Sequence, residues 1–187
     1  IHDLIIDHFP TGKASSLPYP FYFIKKIGYK TILAQAIKNS KKIITPSNST
    51  REEIISHFNV NSDKIKVIYE AGFTDSKIKG NTNINIKNFF LYVGNAYPHK
   101  NLENLIKAFD LFIKENDASV KLVLAGCEDF FYKKVKKDIK NKEISKNIIF
   151  FGEANDDELK ALYKNTKALI VPSLMEGFGL TALEALS

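Results

Sequence analysis

The chain has 187 residues, of which 44% are apolar and 26% are charged, the composition of an ordinary globular protein. Its one cysteine, Cys127, excludes an intrachain disulfide framework and fits a reducing compartment. No apolar run approaches the roughly 20 residues that a membrane-spanning helix needs.

The net charge of +6 comes entirely from the first part of the chain. Residues 1–87 hold 13 Lys/Arg and 7 Asp/Glu, whereas residues 88–187 hold 14 of each. Two interpretations are open: this part meets an anionic membrane or acceptor, or its composition is simply rich in Lys and Asn. We expect a fragment cut at both ends, because position 1 is Ile, the only Met is Met175 and the chain stops within a helical pattern.

The first predicted elements are a strand, a loop and a long helix. Asp3–Ile6 is typical of a buried strand, and Phe9–Pro20, with three prolines, of a loop. Phe21–Asn39 has apolar residues at helical spacing with lysines between them. We expect this helix to face the core; a basic amphipathic helix lying on a membrane is the alternative.

A strand–helix–strand unit follows. Lys42–Thr45 predicts a strand, and Ser47 or Ser49 caps a helix that runs to about His57. Ile65–Tyr69 predicts the next strand. The polar stretch after it predicts an interdomain linker at residues 76–87, which separates a first domain (residues 1–75) from a second (residues 88–187).

Strands and helices alternate regularly in the second domain. The strands are predicted at Phe89–Val93, Val120–Ala125, Ile148–Phe151 and Ala168–Val171, and the helices at Leu102–Lys114, Phe130–Ile139, Asp156–Tyr163 and Leu180–Leu186. This alternation predicts an α/β fold with a doubly wound parallel sheet, in which ligands bind beyond the carboxyl ends of the strands. Gly94, Gly126, Gly152 and the loop at Glu176 then share one rim.

The stretch Glu176–Glu184 is the most informative in the chain. Gly177 and Gly179 free the loop backbone to approach a ligand, and the helix behind them offers bare N–H groups to a phosphate. A carboxylate beside a phosphate is repelled by it, so Glu176 and Glu184 are better placed to accept hydrogen bonds from sugar hydroxyls. The alternative is a surface loop with two solvated glutamates.

The loop after the first strand of the second domain has a similar character. Gly94 stands at its turn, and Lys100, near the next helix, is suited to meet a phosphate as a point charge. An ordinary polar loop is the alternative. Gly126 and Gly152 are expected to leave room for a flat base or ribose, and Cys127 is expected to be a packing residue.

No metal site is predicted. The four histidines show no metal-ligand spacing, and no Asp-X-Asp motif occurs. Charge on a departing diphosphate would then be met by Lys100 and a helix dipole. The basic run 133–137 is expected to be a solvated helix face, and no stacking platform for nucleic acid is visible.

Taken together, these motifs resemble those of the retaining glycosyltransferases of family 4, also called group 1, which have the GT-B fold. Glu176 to Glu184, with Gly-Phe-Gly between them, matches the family's Glu-X7-Glu motif. Tyr92-Val-Gly-Asn-Ala-Tyr-Pro-His-Lys-Asn-Leu matches the opening of its C-terminal domain. Thr45-Pro-Ser-Asn-Ser and His2-Asp3 resemble two strand ends of its N-terminal domain. The resemblance implies two Rossmann-like parallel-sheet domains, both incomplete here, of which the second binds the donor.

The resemblance also implies roles for individual residues. Glu176 and His2 would face the donor sugar, and Glu184 would bind the ribose hydroxyls. Lys100 and the backbone after Gly179 would hold the diphosphate. The other residues expected to bind the nucleotide sugar are Gly94, Asn95, Gly177, Phe178, Gly179, Leu180 and Thr181. Asn95 stands where many members have Arg, and Pro-His-Lys replaces the frequent Pro-Arg-Lys, so phosphate binding rests more on Lys100.

The function implied is transfer of a sugar, with retention of configuration, from a nucleotide diphosphate sugar to a glycan or lipid-linked acceptor. No cofactor and no metal are expected, and residues 1–187 alone are expected to be inactive. The expected location is the cytoplasm, with the inner face of an anionic membrane as a further option. The alternatives are a non-catalytic nucleotide-sugar-binding or scaffold domain and a Rossmann-type oxidoreductase, against which the missing three-glycine fingerprint argues.

Overall fold

The computed structural model describes residues 1–9, 19–72 and 84–187, which form two compact units. Ile1–Glu70 and Met175–Gly179 make the first unit, and Ala71–Leu174 and Leu180–Ser187 make the second. The predicted loop over residues 10–18 and most of the predicted linker, residues 76–83, lie outside the described residues. The domain boundaries set from the sequence therefore stay predictions.

The first unit contains a small parallel sheet and three helices. Its elements are α1 (Ile5–His8), α2 (Tyr19–Asn39), β1 (Ile43–Thr45), α3 (Asn48–Phe58) and β2 (Ile65–Val67), with a 3-10 turn at Ser62–Lys64 before β2. Strands β1 and β2 pair in parallel, with Ile43 opposite Ile65. Their apolar side chains meet Leu4, Ile37 and Ile54 in one buried cluster.

Helix α3 begins where the sequence predicts a cap. The Ser47 hydroxyl accepts a hydrogen bond from the Thr50 N–H at 3.1 Å, so Ser47, and not Ser49, is the cap. The helix ends at Asn59, whose φ of 50° is left-handed, the conformation that commonly terminates helices. The strand–helix–strand prediction is thus confirmed, with β2 ending two residues earlier than expected.

The strand predicted at Asp3–Ile6 is wrong. The Asp3 carboxylate accepts a hydrogen bond from the Ile5 N–H at 3.0 Å, and the backbone then turns into the short helix α1. Leu4 is 1% exposed but Ile6 is 40% exposed, so the two apolar residues do not share a buried strand. Three consecutive apolar residues fit one helical turn as well as a strand, and the local carboxylate favours the turn.

Helix α2 is confirmed, but the prediction that it faces the core holds for only one side. Tyr22 and Ile37 are buried on that side. The opposite side exposes more than half of each of five large side chains, which we call the α2 apolar face: Phe21, Phe23, Ile24, Ile27 and Ile32. Within residues 1–9, 19–72 and 84–187, no helix combines the length and the hydropathy needed to cross a membrane.

The second unit is a four-stranded sheet with helices on both faces. Its strands are β3 (Phe89–Val93), β4 (Lys121–Ala125), β5 (Ile148–Gly152) and β6 (Ala168–Leu169). Its helices are α4 (Leu102–Glu115), α5 (Phe130–Ile139), α6 (Asp156–Asn165) and α7 (Leu180–Leu186), with 3-10 turns at Pro98–Lys100 and Glu143–Asn147. The strands run in parallel in the order β5–β4–β3–β6, which confirms the predicted α/β fold.

Strand β4 shows why the sheet is covered on both sides. Leu122 and Leu124 pack into a cluster with residues of α4 and α5, whereas Val123 and Ala125 pack into a second cluster with Leu162 of α6. Successive side chains of a strand point to opposite faces, so a continuous apolar run requires two covering layers. At the carboxyl edge, Gly94 N–H donates to Ala125 O at 2.9 Å and Gly126 N–H to Gly152 O at 2.8 Å. The three glycines therefore lie side by side, as predicted.

Candidate functional site

Two buried tyrosines fix the loop that follows β3. The Tyr92 hydroxyl donates to the Asn95 carbonyl at 2.6 Å, and the Tyr132 hydroxyl donates to the Gly94 carbonyl at 2.9 Å. Each of the two tyrosine residues is only 2% exposed. A carbonyl oxygen repels an anion, and both oxygens are held by donors inside the protein. The carbonyl oxygens of Gly94 and Asn95 are thereby hydrogen-bonded inside the protein.

The prediction that Gly126 leaves room for a base or ribose is wrong. A Cβ atom at Gly126 would lie 2.0 Å from Gly94 O and 2.8 Å from the Tyr132 hydroxyl, so protein atoms already fill this space. At Gly152, by contrast, a Cβ would meet nothing within 4 Å. Gly126 is needed for the close approach of two loops, and the open space lies at Gly152.

Lys100 sits in a well-anchored turn at this edge. It ends the 3-10 turn Pro98–Lys100, and Asn101 follows with a left-handed φ of 63°. The Asn101 side-chain amide donates to Pro172 O at 3.1 Å, and Leu174 N–H donates to His99 O at 2.8 Å. These bonds join the loop after β3 to the loop after β6. The half-buried Lys100 is therefore held at the ends of two neighbouring strands.

Glu184, on α7, has a partner that the sequence did not indicate. The Tyr163 hydroxyl donates a hydrogen bond to Glu184 Oε2 at 3.0 Å. Burial of the phenol, and next the negative charge of Glu184, raise the pKa of Tyr163 far above its usual value. The phenol therefore stays protonated and remains a donor at any physiological pH. The two residues are 21 positions apart on different helices, and no spacing pattern reveals such a pair.

In the first unit, His2 has an acidic neighbour. His2 Nδ1 lies 2.9 Å from Glu70 Oε1, and the imidazole side chain is 80% exposed. A carboxylate at Nδ1 favours a proton on that nitrogen, which leaves Nε2 for a ligand. Glu70 directly follows the predicted strand Ile65–Tyr69, yet nothing in the sequence pairs it with His2.

The loop Met175–Gly179 packs closely against the backbone at His2. A Cβ at Gly177 would lie 2.3 Å from His2 O, so only glycine fits there. The buried Thr50 hydroxyl lies 3.3 Å from His2 O and 3.4 Å from Gly177 O. The Phe178 ring stacks on Tyr69 with ring centroids 6.1 Å apart. These contacts fix the loop that carries Glu176.

The structure thus gathers the predicted residues into two sets, one in each unit. The first unit holds His2, Glu176, Gly177, Phe178 and Gly179; the second holds Gly94, Asn95, Lys100, Leu180, Thr181 and Glu184. In the part of the chain that the structure describes, no group of three or more His, Cys, Asp or Glu side chains is placed to hold a metal ion. The metal-independence expected from the sequence stays a prediction.

Comparison with solved structures identifies the fold. The crystal structure of WaaG, a glycosyltransferase involved in lipopolysaccharide biosynthesis, has a TM-score of 0.63 at 17% identity, over 78% of this chain and 41% of WaaG. The likeness confirms the GT-B type of α/β fold predicted from the sequence.

Comparison of sequences identifies the family. The profile of the family described as "Glycosyl transferases group 1" matches residues 74–187, and the chain belongs to that family. The chain is 31% identical over 173 residues to the O-antigen chain mannosyltransferase RfbU of Salmonella typhimurium. This match covers 90% of this chain and 46% of RfbU. It is 28% identical over 168 residues to O-antigen chain mannosyltransferase B of Escherichia coli, 83% of this chain and 43% of the relative. The chain spans less than half the length of either relative.

Proposed function

We propose that this chain carries the donor-binding residues of a retaining glycosyltransferase of family 4. The enzyme transfers a hexose from a nucleotide diphosphate sugar to a glycan or lipid-linked acceptor, without a metal ion. The observation that carries the proposal is the Glu176–Glu184 motif, within a chain whose fold and family are those of group 1 glycosyltransferases. Residues 1–75 supply the acceptor side, residues 76–87 the linker and residues 88–187 the donor side.

Each site residue has a role in this proposal. Glu176 and His2 contact the donor sugar, and Glu184 accepts hydrogen bonds from the ribose hydroxyls. Lys100 and the backbone after Gly179 hold the diphosphate. The other residues proposed for donor binding are Gly94, Asn95, Gly177, Phe178, Gly179, Leu180 and Thr181. When the bond between the anomeric carbon and the diphosphate breaks, negative charge grows on the leaving oxygen, and a fixed lysine stabilises that charge. The fixed turn around Lys100 supports this role because a preorganised charge needs no rearrangement during the reaction.

The relatives suggest the first sugar to test. RfbU and mannosyltransferase B transfer mannose by name, and a third relative is the serotype-specific mannosyltransferase WbdA of Escherichia coli. We therefore propose mannose as the transferred hexose and an outer polysaccharide as the acceptor class.

The test is sugar transfer by the complete gene product, with GDP-mannose and UDP-glucose as alternative donors and a lipid-linked oligosaccharide as acceptor. The variant Glu176→Ala is expected to lose transfer, whereas Glu115→Ala, at the far end of α4, keeps it. Product analysis by NMR reports the anomeric configuration, and chelation of divalent metal is expected to leave the rate unchanged. Normal transfer by Glu176→Ala would refute the assignment. If the complete gene product binds the donor but transfers no sugar, the non-catalytic scaffold alternative is favoured. Residues 1–187 alone are expected to transfer no sugar.

We also propose that α2 contacts the cytoplasmic face of an anionic membrane. The support is the α2 apolar face together with the net charge of +6 in residues 1–87. Co-sedimentation with phosphatidylglycerol vesicles is expected to exceed that with phosphatidylcholine vesicles. The double variant Ile24→Gln/Ile32→Gln is expected to reduce it, and equal sedimentation with both vesicle types would contradict the proposal.

A further inference from the structure

We propose that Tyr163 is a positioning residue that fixes the Glu184 carboxylate and so makes the site selective for ribonucleotide over deoxyribonucleotide donors. The inference rests on the proposed function, in which Glu184 binds the ribose.

The geometry of the pair supports a fixed arrangement. Tyr163 lies in the last turn of α6 and its hydroxyl reaches Glu184 Oε2 on α7 at 3.0 Å. The tyrosine ring packs against the buried cluster that includes Leu91 and Leu162, under the same face of the sheet. A ring held by close packing cannot follow a moving partner, so the carboxylate is oriented by the ring.

The two carboxylate oxygens of Glu184 have different roles in this inference. A phenol has one proton to donate, and that proton is committed to Oε2. In the described part of the chain, Oε1 accepts no hydrogen bond from protein. An ionised carboxylate accepts several hydrogen bonds, and a ribose offers two neighbouring hydroxyl donors. A carboxylate with one oxygen already anchored therefore presents the other to the diol in one orientation.

This arrangement explains how an acidic residue on a short surface helix can select its ligand. A glutamate side chain that is free to rotate loses conformational freedom when it binds, and this loss weakens the interaction. Tyr163 removes that freedom before the ligand arrives. The fixed carboxylate raises the affinity only for a ligand that has both ribose hydroxyls. A deoxyribonucleotide lacks one of these two donors and does not gain this affinity.

The variant Tyr163→Phe keeps the ring and removes only the hydroxyl. Calorimetry on the complete gene product would compare GDP or UDP, whichever binds the wild type more tightly, with its 2′-deoxy and 3′-deoxy analogues. We expect Tyr163→Phe to weaken binding of the ribonucleotide about fivefold, the usual effect of one hydrogen bond, and to leave at least one deoxy analogue nearly unchanged. Tyr29→Phe, the same change on α2, is the matched control and should alter neither affinity.

A coupling measurement completes the design. In a Glu184→Ala background, Tyr163→Phe should have no further effect on ribonucleotide affinity, because the inference has Tyr163 act on the ligand through Glu184. Equal weakening of ribo and deoxy ligands by Tyr163→Phe would show a purely structural role and overturn the inference. Selectivity for ribose that depends on Glu184 but not on Tyr163 would also overturn the inference. The proposed function would be unaffected by that result. A wild type that binds ribonucleotide and deoxyribonucleotide equally would overturn the inference and the ribose-binding role of Glu184. A wild type that binds no nucleoside diphosphate would overturn the proposed function as well.

Discussion

Replacing Gly126 by alanine tests how tightly the carboxyl edge of the second unit is packed. The backbone of Gly126 is not left-handed, so alanine is conformationally allowed and the substitution adds only a methyl group. That methyl would start 2.0 Å from Gly94 O, whereas real Cβ contacts essentially never fall below 3.0 Å. The loop after β3 must therefore move away by about 1 Å, or the end of β4 must bend.

The cost follows from the contacts at this point. Forcing one carbon into a packed site costs about 1–3 kcal/mol. Displacing Gly94 also strains its hydrogen bond from Tyr132, which is worth about 1 kcal/mol. A total loss of about 2–4 kcal/mol lowers the midpoint of thermal unfolding by about 5–15 °C for a chain of this size. The same displacement moves Asn95, so we expect the affinity for a nucleoside diphosphate to fall about tenfold or more.

The assay is thermal unfolding of the complete gene product, followed by calorimetric titration with the nucleoside diphosphate. Gly28→Ala is the matched control, because a Cβ at this helical position meets nothing within 4 Å. It should leave stability unchanged or raise it by up to about 1 kcal/mol. Wild-type stability and affinity in Gly126→Ala would refute the view that this glycine is required for packing.

Three further predictions concern the first unit and the buried phenols. Gly177→Ala places a methyl group 2.3 Å from His2 O, and we expect kcat/KM for the donor to fall about tenfold. The circular dichroism spectrum should stay like that of the wild type. Unchanged kinetics would contradict the close packing. Glu70→Gln removes the charge beside His2, and because the imidazole is exposed we expect only about a two- to fivefold fall in kcat; no fall would show that His2 needs no partner. Burial raises the pKa of Tyr132 and of Tyr163 above the value of 10.0 that a free phenol has. The two tyrosines therefore contribute their full stabilisation below about pH 10. This stabilisation is lost at higher pH, where the tyrosines of the unfolded chain ionise before those of the folded protein. Chemical denaturation between pH 9 and 12 should show this fall, and replacement of both tyrosines by Phe should make it shallower; an equally steep fall in the double variant would assign it to other groups.

The sequence predicts the second unit better than the first for a physical reason. Phe89–Val93 and Phe130–Ile139 have the bounds that the sequence predicts, because a strand buried on both faces and a helix with one apolar stripe leave clear patterns. Asp3–Ile6 leaves no such pattern, since four residues are too few to separate a strand from one helical turn. On α2, apolar residues occupy most of the circumference, and their spacing shows a helix but not which side is covered.

The candidate site shows a similar division. Motifs that lie together in the sequence, such as Glu176–Glu184, can be recognised from it. Partners from distant parts of the chain cannot, because no local rule links Tyr163 with Glu184 or His2 with Glu70. Gly126 illustrates a third case: the sequence shows that backbone space is needed, but only the structure shows that another loop uses it.

The first unit is discontinuous in the chain, and this affects its synthesis. It includes Met175–Gly179, which follow Glu70 by about a hundred residues. At translation rates of about 5–20 residues per second, that segment is made roughly 5–20 s after the rest of the unit. During this interval the nascent first unit lacks the Gly177 backbone that packs against His2 and the Phe178 ring that stacks on Tyr69. The packing of the first unit is therefore completed only after all four strands of the second unit have been synthesised.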